Sequence, residues 1–273
     1  MSISPIKQTW AFLYRDHQLT KRYFSWVVVF TFYAVISGAS VALIGVASKD
    51  EKLTLTLTIG VLFWSFLSVV FQEIAMSIAY ERWEGTLEYT FMAPVSRLTH
   101  LAGISLYASF YAIIRALAVL GGLFLFLDLD FFGANLPGLF LVLLTSSVAF
   151  IGLGLIAAVL PLMSPERGAE ATNIFQSILL LVSGVYYPVS VLPSWVQPLS
   201  ALSPATYALN ASRRLLGVEN MQGGRLVAEP LSTVLPDIGR LLVIGLVLVP
   251  AGLWIFGRVE AWAKRTGKLK RTG

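Results

Sequence analysis

Glu84-Gly85-Thr86-Leu87-Glu88, closed by Ala93-Pro94-Val95-Ser96-Arg97, is a short polar island between two long apolar runs, Leu55–Tyr80 and Leu101–Leu127. A helix crossing the hydrocarbon core of a bilayer needs about 20 mostly apolar residues, and both runs reach that length. A polar segment between two such runs belongs at a membrane surface, within reach of a soluble partner. Four further runs have the same character: Trp26–Val46, Leu136–Met163, Thr172–Leu192 and Ile238–Gly257. The pattern predicts an all-α polytopic membrane protein, a single domain over residues 1–273 with six transmembrane helices.

Composition supports this class. Of 273 residues, 56% are hydrophobic and 13% charged, about half the charge of a soluble domain at roughly 25%. The absence of cysteine excludes disulfides, thiolate metal sites and a cysteine nucleophile. The two histidines, His17 and His100, lie far apart outside the apolar runs, so no metal site is expected. The net charge of +5 reads as contact with anionic lipid rather than with nucleic acid. Lys7, Arg15, Asp16, Lys21 and Arg22 are scattered through the first 24 residues. They leave no compact apolar stretch of the kind a cleavable signal has, so the first run is expected to serve as an uncleaved insertion signal.

Six spans place both ends on one side. With the ends inside, cytoplasmic segments carry Lys7, Arg15, Lys21, Arg22, Arg82, Arg97, Arg167, Arg258, Lys264, Arg265, Lys268, Lys270 and Arg271, 13 in all. The outer segments carry Lys49, Lys52, Arg213, Arg214, Arg225 and Arg240, 6 in all. The bias predicts cytoplasmic termini in a multi-pass protein of the cytoplasmic (inner) membrane, and it puts Asp128 and Asp130 outside.

Three segments between spans carry local signals. Residues 1–25 read as an interfacial helix, with Ser4 at the N-cap, Pro5 as first residue, and Ile6, Trp10, Leu13 and Tyr14 at helical spacing. The alternative is a solvated helix packed on the bundle. In the 81–100 loop, Thr86 is placed to cap a short helix with Glu88 at its dipole, Pro94 ends it, and Ser96 starts the next. Residues 188–237 hold Ser203 as an N-cap, Pro204 behind it and Gly217 as a helix end. Irregular backbone at membrane depth survives only against protein or a water-filled cavity, which suggests an outer wall built from re-entrant helices.

The motif Glu84-Gly85-Thr86-Leu87-Glu88, the following Ala93-Pro94-Val95-Ser96-Arg97 and Gly103 resemble the coupling region of type-2 ABC exporter permeases. A second stretch is similar to that family's fifth span and outer helices: Ser183-Gly184-Val185-Tyr186-Tyr187-Pro188, Leu192-Pro193-Ser194-Trp195 and Ser203-Pro204-Ala205-Thr206-Tyr207-Ala208-Leu209-Asn210 with Arg213. The resemblance leans to the drug-resistance-like branch of a superfamily that also holds O-antigen and teichoic-acid exporters. It implies that Glu84, Gly85, Thr86, Leu87, Glu88, Pro94 and Arg97 couple to a separate ATP-binding subunit, which carries ATP and Mg, and that a second copy of the chain completes the pathway. It also implies that Pro188, Pro193, Trp195, Pro204, Tyr207 and Arg213 belong to the re-entrant region. The cargo class implied is lipophilic: a drug-like compound, a lipid or a lipid-linked glycan.

The chain has no Gly-x-x-x-x-Gly-Lys-Ser/Thr phosphate cradle, Gly-x-Ser-x-Gly elbow or His-Glu-x-x-His pair. No catalytic residue, cofactor or metal is therefore assigned to it. Two charges enter the spans, Glu73 and Arg115, and an intramembrane charge is a functional candidate. Depth along the helices separates them, so Glu73 is expected to meet Arg82, Arg97 or a lysine of the first helix. Ser65, Ser68 and Gln72 form one polar stripe, and Asn173, Gln176 and Ser183 another; these are pathway candidates, or they bond adjacent helices. Ala34, Gly38 and Ala42 make a small-residue ridge. A membrane scaffold without a transport cycle would also fit the hydropathy, but not the two motifs in order.

Overall fold

The computed structural model describes residues 4–127, 133–164, 167–218, 220–222 and 225–269; Asp128, Asp130, Lys270 and Arg271 of the topology argument lie outside them. Helix α1 (Pro5–Arg22) starts where the sequence places it, although the Ser4 side chain makes no capping bond. Ile6, Trp10 and Tyr14 stay exposed on one face. On the other, Phe12 lies against Gly103 and His100, and Thr20 takes the hydroxyl of Tyr107. The helix is thus packed on the bundle by one side and leaves on the other an apolar stripe of the kind that lies in an interface.

The chain continues through α2 (Phe24–Ala47), α3 (Glu51–Trp83), the short α4 (Leu87–Met92), α5 (Arg97–Leu123), α6 (Leu136–Ala157), α7 (Val159–Met163) and α8 (Gly168–Val182). It ends with α9 (Gln197–Leu202), α10 (Pro204–Leu215) and the 35-residue α11 (Leu231–Arg265). The fold is all-helical; the other regular structure among the described residues, beyond a 3-10 turn at Val189–Val191, is the two-residue pair Met221–Gln222 with Arg225–Leu226. Among the described residues, five helices are long and apolar enough to cross a membrane: α2, α3, α5, α6 with α7, and α11.

The expected fifth span, Thr172–Leu192, is not one helix. Its helix, α8, runs earlier and has 15 residues, about 22 Å of rise against a hydrocarbon core of about 30 Å. The reason is local: Gly184 takes φ 67° and Pro188 lacks an N–H, so the apolar sequence continues while the helix cannot.

Helix α3 is the hub. It packs against α2, α5, α6, α7, α8 and α10, and 67% of its apolar window lies inside the protein, against 22% for α2 and α11. The small-residue ridge of α2 serves this packing: a Cβ on Gly38 would sit 2.5 Å from Val61 Cγ1. Helices α6 and α11 approach as closely, since a Cβ on Gly152 would lie 2.5 Å from that of Leu248.

At the end of the bundle opposite α4, α10 is buried against α3, α6 and α11. Ser203 holds its N-cap position, but its hydroxyl meets that of Ser183 at 2.6 Å instead of capping. Arg213 donates to the carbonyls of Gly184 and Val185, at 3.2 and 2.7 Å, and so ties α10 to the chain that leaves α8. Tyr207 donates to the Ala201 carbonyl, and Trp195 is 77% exposed. Glu229 accepts from Arg214, which holds its carboxyl below the usual carboxylate range.

Candidate functional site

The polar island forms a built turn and a short helix. Gly85 has φ 75°, and the Thr86 N–H donates to the Glu81 carbonyl at 2.9 Å, which closes α3 in the six-to-one bond of a Schellman turn. Helix α4 then pushes Leu87 and Phe91 into the core, 0% and 4% exposed, and presents Glu88, Tyr89 and Met92 outward with Glu84 beside them. Thr86 does not cap α4: its own backbone is helical, and its hydroxyl turns back to the Glu81 carbonyl at 3.2 Å. Glu88 does sit in the first turn. Pro94 follows the helix end, and Ser96 caps α5 by accepting the Thr99 N–H at 3.1 Å. Of the island's residues, Leu87 and Arg97 therefore point inward and shape the site, while Glu84, Thr86, Glu88 and Pro94 are exposed.

Behind α4 lies a chain of ion pairs joining four helices. Arg15 of α1 bonds Glu81 of α3 at 2.6 Å and Asp16 at 2.8 Å. Glu81 meets His100 Nε2 of α5 at 3.0 Å, and Arg97 lies 3.3 Å from His100 Nδ1. Arg97 also grips Glu260 of α11 with two bonds, at 2.8 and 2.9 Å, and Glu260 pairs with Lys264 at 2.8 Å. The Phe91 ring of α4 is the centre of this arrangement. The Arg97 guanidinium lies 4.0 Å from its centroid, and His100 and Phe256 meet it edge-on. Burial alone would lower Arg15, but Glu81 and Asp16 outweigh it and hold the guanidinium above its ordinary range. Burial raises the Asp16 carboxyl despite its neighbour Arg15, as one cation is shared between two carboxylates. The network ties α1, α3, α5 and α11 together at the face on which α4 sits.

The family model for the ABC-2 type transporter matches residues 6–216, which take in α1, the island and its flanking helices, and α10. The chain belongs to that family. It is a membrane permease subunit of an ABC transporter, a transport component for which the family implies an associated ATP-binding subunit. Among curated proteins there is no match.

The permease differs from the sequence expectation in its intramembrane charges. Arg82 takes the carbonyls of Leu162 and Lys268, and Arg97 takes Glu260, so neither meets Glu73. Glu73 on α3 and Arg115 on α5 stand on neighbouring helices. Arg115 itself donates to the Phe30 carbonyl of α2 at 3.2 Å.

The two polar stripes do converge. Gln72 donates to Asn173 at 3.2 Å, and Ser65, Ser68, Gln72, Asn173 and Gln176 all remain at least partly exposed. Ser183 leaves the group: it is buried and donates to the Leu179 carbonyl. Sequence reasoning missed Glu81, Phe91, His100, Glu260 and Lys264 of the network, and the outward Tyr89 and Met92. Two short spacings carried a trace of it, Arg97 with His100 and Glu260 with Lys264, each pair lying on one helix face.

Proposed function

We propose that this permease is the membrane subunit of an ATP-driven exporter that moves a lipophilic cargo, a drug-like compound, a lipid or a lipid-linked glycan, out across the cytoplasmic membrane. Two copies form the pathway, a separate ATP-binding subunit docks on α4, and both termini are cytoplasmic. The observation that carries this reading is α4 itself. A six-residue helix anchored by Leu87 and Phe91 and backed by a four-helix ion-pair network, with Glu88, Tyr89 and Met92 left outward, is built to receive a push rather than to stabilise the bundle. Closure of the ATP-binding subunits bears on that face and turns the pathway between sides. The partly exposed stripe of Ser65, Ser68, Gln72, Asn173 and Gln176 supports a second copy: polar groups at membrane depth face a bundle interior or a wet cavity rather than lipid. Buried α10, with Pro204, Tyr207 and Arg213, supplies the outer wall as a re-entrant element, together with the turns at Pro188, Pro193 and Trp195.

The test is reconstitution. The purified chain alone is expected to turn over no ATP, because it has no phosphate-binding loop. Reconstituted in liposomes with its ATP-binding subunit, it is expected to show ATPase activity stimulated by its cargo among added amphiphiles and lipids. Clean ATP turnover by the isolated chain would refute the assignment.

A further inference from the structure

We propose that the turn Ala263–Leu269, past the residues matched by the family, is a working part of the site that holds α4, with Arg82 as its positioning residue. The proposal rests on the reading of α4 as the docking helix. Arg82 is 1% exposed, and among the described residues no carboxylate lies within ion-pair distance of it. Its guanidinium donates instead to two carbonyls, of Leu162 in the last turn of α7 and of Lys268 in the turn that closes α11, each at 2.5 Å. Carbonyls at helix C-termini are unpaired within the helix and carry the negative end of its dipole, so they can hold a cation without a carboxylate. Among the described residues, the Nε of Arg82 has no acceptor. Apolar packing would fill this space at less desolvation cost, so what the arginine adds is geometry: it ties the ends of α3, α7 and α11 together.

The tie continues into α4. The Arg82 carbonyl accepts the Gly85 N–H at 3.1 Å, so the residue that grips the tail also forms the turn that launches α4. From the other side, Lys264 donates to the Phe91 carbonyl at 3.2 Å while pairing with Glu260. The tail reaches Arg82 through its own Schellman turn. Gly267 has φ 68°, Lys268 N–H donates to the Ala263 carbonyl at 2.9 Å, and Leu269 returns to the core. A load on α4 therefore passes straight to α11, in addition to α3 and α5, and α11 is one of the three helices that pack on α10 at the far end.

The turn offers a clean perturbation. A Cβ on Gly267 would meet nothing within 4 Å, so Gly267→Ala strains only the left-handed backbone, which shifts the turn towards opening by roughly five- to thirtyfold. Gly267→Asn keeps a residue that tolerates this conformation, and Arg82→Lys keeps the charge but has no fork to span two carbonyls. Two readouts are needed. In the full-length chain by itself, hydrogen exchange of the α4 amides is expected to quicken several-fold in Gly267→Ala and Arg82→Lys and to stay near wild type in Gly267→Asn. In the reconstituted complex, cargo moved per ATP hydrolysed is expected to fall in the first two variants and recover in the third. Unchanged exchange in α4 while the tail alone exchanges faster overturns the proposal, and so does unchanged transport per ATP. A wild-type complex that hydrolyses ATP but moves no cargo faults the exporter reading instead, and the exchange measurement then decides the role of the tail.

Discussion

Gly85 is the joint between the hub helix and α4, and replacing it with alanine isolates the contribution of that joint. Its φ of 75° lies where a side chain is rarely tolerated, and a Cβ there would meet nothing within 4 Å. Steric clash with neighbours therefore adds nothing, and the cost is that of a left-handed alanine, about 1–2 kcal/mol. That is a factor of roughly 5–30 between the closed turn and an opened one. It is too small to unfold a bundle anchored by α3, so protein amount and membrane insertion are expected to stay near wild type. It is large enough to let α4 leave its seat, because the Thr86-to-Glu81 bond closes only when residue 85 is left-handed. The assay is co-purification of the ATP-binding subunit over a salt series, together with ATP-dependent cargo efflux. Gly85→Ala is expected to weaken both several-fold, and Gly85→Asn to lie close to wild type because asparagine adopts this conformation at low cost. An alanine variant that holds the subunit and transports as wild type does would show that the partner does not read the direction in which α4 leaves α3.

Two further outcomes are expected. Glu81→Gln removes the charge shared by Arg15 and His100 at a position 4% exposed. It should cost about 2–3 kcal/mol and lower the thermal midpoint in detergent by several degrees; a midpoint unchanged within a degree would mean that Asp16 alone holds Arg15. Single cysteines at Ser96 and Thr266 should label from the cytoplasm, and those at Lys49 and Gln222 from outside, following the Lys/Arg bias; external labelling at Ser96 in intact cells would reverse the topology.

The spans that composition could show were legible, because a lipid-crossing helix announces itself by length and apolarity. The start of α1 at Ser4-Pro5, the Ser96 cap, the end of α10 at Gly217 and the ridge of Ala34, Gly38 and Ala42 were legible for the same local reasons. The fifth span misled because Val185, Tyr186 and Tyr187 keep the sequence apolar beyond the point where Gly184 ends the helix. Capping by Thr86 and Ser203 misled because a hydroxyl has several acceptors in reach, and tertiary neighbours chose. The ion-pair network was hidden for a different reason. Arg97 and Glu260 are 163 residues apart, and Arg15 and Glu81 are 66; nothing in one sequence says which of many charges at the same membrane surface will meet.

The outward face of α4 has a consequence for the life of the molecule before assembly. Tyr89 and Met92, with Leu98 of α5 nearby in sequence, are 79%, 75% and 62% exposed at a site otherwise rich in charge. An apolar patch of this kind, uncovered in water, is what chaperones and proteases recognise. If α4 is the docking helix proposed above, a newly inserted copy without its ATP-binding partner is marked as incomplete by the same side chains that the partner would cover, and supply of the two subunits has to be matched for the permease to accumulate.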